Sequence, residues 1–176
     1  QLIENILDRY FLMEVKYLAD KYESKVIKNW LIVYLIFAYL RAALRAKFQQ
    51  TKIELFRSIY FENPYVRFES LAEIINGADE KAVEIIIHHG FRDLLPHGVE
   101  YKNDPWFIAE IEKNMDNYLM KFLRPYRIQA FGPEPVCGFL YAKMTDFRNL
   151  RIILHGKYFQ ISENEIKSKL RECYYE

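Results

Sequence analysis

Two acids and two arginines stand at matched places in this chain of 176 residues. Asp8, followed by Tyr10 and Phe11, recurs as Asp116, followed by Tyr118 and Leu119, an offset of 108 between the acids (8 and 116). Arg41 lies within Leu40, Arg41, Leu44, Arg45, Ala46 and Lys47. That string recurs as Leu150, Arg151, Leu154, His155, Gly156 and Lys157, at an offset of 110 (41 and 151). An acid near the start of one helix meets an Arg near the end of an antiparallel neighbour. The pairs Asp8 with Arg41 and Asp116 with Arg151 are therefore expected as architectural ion pairs. Losing one partner of such a pair costs about 3–5 kcal/mol when it is buried and at most about 1 kcal/mol when it is exposed. The Asp-x-Tyr step offers no general acid/base couple, because i and i+2 leave a helix in different directions.

Other chemistry is thinner. Between Arg41 and Arg57 stand Arg41, Arg45, Lys47, Lys52 and Arg57 with one acid, Glu54. Such a cluster suits phosphates or an acidic protein surface, but it also suits a solvated helix end that complements the dipole. No glycine-rich phosphate loop or nucleic-acid signature accompanies it. His88, His89 and His97 lack the i, i+4 return of a zinc site, and Cys137 and Cys173 lack metal-ligand spacing, reading instead as inert thiols in a reducing compartment. With no nucleophile elbow, P-loop or dinucleotide fingerprint, the expectation is no catalytic, cofactor or metal residue and no enzyme.

The elements that position these residues are helical. The chain has only six Gly and six Pro but 13 Phe and 14 Tyr, and 51% of it is hydrophobic, enough for a packed core. A net charge of +1 excludes a protein held to nucleic acid by its overall field. The apolar run Trp30 to Leu40 is eleven residues, against roughly 20 for a bilayer span, so it reads as the central helix of a bundle. Helices are expected over residues 2–19, 24–47, 51 to before Pro64, 69–76, 80–89, 105 to about 123, 135–155 and 162–171. The marks are caps at Asp79, Asp104 and Ser162, a box at Thr51 with Glu54, and positive-φ glycines at Gly90 and Gly156. The two capping boxes stand 111 apart (51 and 162), so three landmarks keep one order. The expected fold is all-α, two repeated helical-bundle units with long central helices, over 1–100 and 101–176, with the boundary in the aperiodic stretch after Pro96. A start at Gln1 without Met, and without a secretory signal, reads as a fragment.

The strings themselves resemble a family. Glu134, Pro135, Asn149, Arg151, Ile152, Ile153, Gly156, Lys157 and the box at Ser162 are similar to the C-terminal part of the C-subunit family of the archaeal and bacterial A/V-type ATPases, the counterpart of the d subunit in the vacuolar enzyme. The string from Leu40 to Lys47 and the Asp-x-Tyr steps fit the same pattern. The middle, Phe61 to Lys102, carries none of it. Where the family has Asn before the Arg of the first copy, this chain has Tyr39 and Leu40. Members are longer, so the resemblance implies a C-terminal half, with a third related unit elsewhere.

What the resemblance implies is mechanical. Such a protein is a non-catalytic socket in the central stalk, taking the foot of the shaft and resting on the membrane rotor ring at its cytoplasmic face. It carries torque between ATP turnover and H+ or Na+ passage, with no cofactor and no transmembrane segment. The implied partners are the shaft subunits and the ring, with no nucleic acid. The partner-contact candidates are Arg45, Lys47 and Lys52 with their counterparts His155 and Lys157. A helical repeat adaptor for another complex is the alternative reading.

Overall fold

The computed structural model describes residues 2–96 and 105–175. Expectations at His97, at Asp104 and over the boundary stretch beyond Pro96 lie outside them. Two compact units divide the chain, Gln1–Ile108 and Ala109–Glu176. Every regular element among the described residues is helical, so the protein is all-α as its composition requires.

The first unit holds α1 (Leu2–Lys21), α2 (Lys25–Phe48), α3 (Ile53–Arg57), α4 (Phe68–Asn76) and α5 (Asp79–His88), then a 3-10 turn at Arg92–Leu94. The long α6 (Pro105–Leu123) starts at a proline that is pre-set for the first helical turn. It runs into the second unit, followed there by a 3-10 turn at Arg124–Ile128, α7 (Pro133–Tyr158) and α8 (Glu163–Lys169).

In the first unit Ser24 caps α2, its Oγ accepting from the Ile27 N–H at 3.3 Å. α2 packs against α1 and α4. Its Leu35, Phe37, Tyr39, Leu40, Ala43 and Leu44 are buried, and Phe37 meets Phe91 edge-on at 4.7 Å between ring centres. The eleven-residue run understates this helix. Its 24 residues reach a mean hydropathy of 1.5 over an 18-residue window, long and apolar enough for a bilayer by length and composition alone. Its buried face serves here as the centre of a helical core.

Three expected caps fall elsewhere. Thr51 does not open α3: its N–H closes α2 by bonding the Ala46 carbonyl at 2.8 Å, and Lys52 takes the cap position without a side-chain bond. Asp79 is the first residue of α5, not its cap, because its carboxylate goes to Lys47 at 3.2 Å. Gly156 lies inside α7, and the left-handed residue beyond that helix is Gln160 at φ 55°. Gly156 is small for a different reason. A Cβ there would stand 2.5 Å from Cγ1 of Ile166, so the glycine lets α8 lie against α7. Gly90 does take positive φ, at 82°, after α5.

Candidate interaction surface

The second unit is tied together by one buried acid. Asp116, on the inner side of α6 and 2% exposed, accepts from Arg148 Nη1 of α7 and from Arg171 Nε of the C-terminal segment, each at 3.1 Å. Tyr141 Oη donates to its backbone carbonyl at 3.4 Å. Asn149 then holds Arg171 by its main chain. Its Oδ1 accepts from the Arg171 N–H at 2.9 Å, and its amide donates to the Arg171 carbonyl at 3.0 Å. Glu172 N–H donates to Asn117 Oδ1 at 2.9 Å, and Arg124 reaches the Cys173 carbonyl at 2.7 Å. A buried carboxylate shared by two guanidinium groups locks α6, α7 and the chain after α8 into one arrangement.

The expected pairing of Asp116 with Arg151 is thus corrected. Arg151 is exposed, and the α7 arginine that meets Asp116 is Arg148, one turn earlier and about 60° around the helix, closer to the buried edge that carries Tyr141, Thr145 and Asn149. Asp8 and Arg41 share the wall of a hollow of about 700 Å³ in the first unit, with Asn5, Arg45 and Ile59. Asp8 is exposed there, and no Asp8–Arg41 bridge forms among the described residues. At the 110-residue spacing of the recurring strings, the positions of Arg148 and Arg171 correspond to Ala38 and Phe61, neither of which carries a charge.

Other bonds do recur at that spacing. The Phe61 N–H donates to Tyr39 Oη at 3.3 Å, as the Arg171 N–H does to Asn149, each over a separation of 22 residues. Tyr39 therefore does in the first unit what the Asn does in the second, and burial pushes its phenol up to about 12. Ser58 Oγ donates to the Leu55 carbonyl at 2.6 Å, and Ser168 Oγ to the Glu165 carbonyl at 2.8 Å. Gln50 and Gln160 are both left-handed, at φ 51° and 55°. The Thr51 N–H to Ala46 carbonyl bond has its twin in Ile161 to Gly156, both 2.8 Å.

The basic helix ends differ in availability. Arg45, Lys52 and His155 are exposed. Lys157 is exposed too, bridged to Glu163 at 2.9 Å. Lys47 is not offered at the surface as the other basic residues are. It is buried, its ammonium donating to the Gly77 carbonyl at the end of α4 and pairing with Asp79, so its stem fills core while its head completes a helix terminus. Nothing in the residue string marks Lys47 off from Lys157. What sequence reasoning missed altogether was Arg148 and Arg171, which only the geometry of α7 and the tail brings to Asp116.

No group of three or more His, Cys, Asp or Glu side chains fit for a metal occurs among the described residues. The His88 and His89 rings stand edge to face at 5.9 Å, and burial, then the His88 charge, pushes His89 down from its usual range. Burial, then Glu134, pushes the half-buried Cys137 thiol up, away from the reactive thiolate. The larger exposed feature is apolar. Phe139, Leu140, Met144, Phe147, Leu150 and Leu154 run along the outside of α7.

Helices locked by buried polar bonds, with apolar and basic residues left on the outside, make this an all-α protein with no strand among the described residues. The chain matches the family model described as ATP synthase (C/AC39) subunit over residues 1–169, and it belongs to that family. It is 23% identical over 174 residues to the C subunit of the V-type sodium ATPase of Enterococcus hirae, covering 99% of this chain. The chain spans about half, 52%, of that relative's length. No solved structure matches the chain significantly.

Proposed function

We propose that this chain is a non-catalytic part of the central stalk of a V/A-type ATPase or ATP synthase, a socket that couples the shaft to the membrane ion-translocating ring. It sits on the cytoplasmic face and is held to the ring through protein contacts. Family membership across nearly the whole chain carries this reading. The lock around Asp116 supports it physically, because an element that passes torque must not let its helices slide, and close-packed side chains with satisfied buried charges resist sliding. We also infer that the two units are copies of one helical unit. The bonds that recur 110 residues apart, several of them at positions whose residues differ, support this better than composition does.

Arg45, Lys52, His155 and Lys157 are the basic contact candidates we favour, because they are exposed while Lys47 is buried. The test is assembly. The native protein should co-purify with the membrane ring and the coiled-coil shaft of its complex. Reversing charge at Lys52 and Lys157 together should weaken that association. Full assembly with unchanged coupling would remove those residues from the contact surface. Failure of the native protein to associate with ring or shaft would remove the central-stalk reading.

A further inference from the structure

The same residues recur on the long helix of each unit, and only one set is covered. On α2, Phe37, Leu40 and Leu44 are 1%, 0% and 0% exposed. Their counterparts on α7, Phe147, Leu150 and Leu154, are of the same types and are 72%, 50% and 60% exposed. The face ends in both units on a lysine, Lys47 buried and Lys157 exposed. In the first unit α4 packs against α2. It brings the buried Leu71, Ile74 and Ile75, then the Gly77 carbonyl and the Asp79 carboxylate that together receive Lys47. Among the described residues no helix covers this face of α7.

We propose that the α7 face from Phe147 to Lys157 is a docking surface for an acidic amphipathic helix of a partner polypeptide, of the kind that α4 supplies within this chain. It carries branched apolar residues at i, i+3 and i+4 and closes on a carbonyl and a carboxylate placed to meet Lys157. The charges agree with that occupant. The α7 face is flanked by Arg151, His155 and Lys157, and the α4 segment carries Glu69, Glu73 and Asp79. An apolar stripe of this length left to water is unfavourable, and covering three large side chains supplies the driving force that α4 already exploits on α2. The surface follows from the comparison of the two units and stands whether or not the chain is a rotor part.

The probe is a stapled peptide of residues 68–79, its helicity verified by circular dichroism before use, labelled and titrated into the whole chain by fluorescence anisotropy. Saturable binding is expected, weakened about tenfold or more by Leu150→Asp or Leu154→Asp, which alter exposed positions and leave the helical signal of the chain unchanged. Lys157→Glu should weaken binding several-fold, and a peptide with Asp79→Lys should recover it on that variant. No saturable binding by the helical peptide, or binding insensitive to both Leu substitutions, overturns the proposal. The second result would mean exchange with α4 at its own site. Sedimentation velocity adds a further arm: a dimer of the chain that Leu154→Asp dissolves would give the face to a second copy and overturn the partner assignment.

Discussion

The second copy of the Asp-x-Tyr step is an anchor and the first is not. Asp116 sits under two arginines, and Asp8 lies at an exposed wall, with the uncharged Ala38 and Phe61 at the positions 110 residues before those arginines. The ends of the long helices invert that contrast, with Lys47 built into the core and Lys157 left at the surface. Each unit therefore puts the same residue types to a different task, and identity at a position says little until the matching positions on the neighbouring elements are known.

The widest separation is expected at the acids. Asp116→Ala should lower stability by about 3 kcal/mol or more, because two guanidinium groups lose their shared buried counter-charge, whereas Asp8→Ala should stay within about 0.5 kcal/mol. Urea unfolding of the two variants measures this, and equal losses would break the comparison. Next come the lysines. Lys47→Ala should cost about 2 kcal/mol by stranding the Gly77 carbonyl and the Asp79 carboxylate, and Lys157→Ala only a few tenths. Smaller still is the helix contact at Gly156. Gly156→Ala should cost about 1 kcal/mol, the clash with Ile166 outweighing the gain in helix propensity, and Ile166→Ala in the same chain should remove that clash, a coupling that a double-mutant cycle reads directly. The smallest effect is shared. Gln50→Gly and Gln160→Gly should each stabilise the chain, by less than about 1 kcal/mol, since both residues hold positive φ. A gain at one site only would show that the two turns are not equivalent.

Much of the fold was legible because helices announce themselves by period and by their ends. The Ser162 cap, the proline at the start of α6 and the positive φ at Gly90 are local events, and the sequence states local events directly. The misread ends share one cause. Thr51, Asp79 and Gly156 each have the residue type for a helix boundary, but a tertiary partner claims each: the turn closing α2, the Lys47 ammonium and the Ile166 side chain. The candidate site was less legible for the same reason. Counting along the chain finds Asp116, and no count finds Arg171, 55 residues away, as the group that meets it. In the residue string, the absence of an Asn before Arg41 looks like a lost contact. Tyr39 keeps that contact with a hydroxyl in place of an amide, a substitution visible only once Phe61 is seen to donate to it.

The proposed role is that this protein couples and does not catalyse. Purified ATPase complex, with and without the native protein, reconstituted into sealed vesicles and assayed for ions moved per ATP hydrolysed, tests it most directly. The expected result is that ATP hydrolysis by the soluble head persists without the protein while ion movement falls to background, and that adding it back restores ion movement. Ion movement per ATP unchanged by its removal would contradict the account.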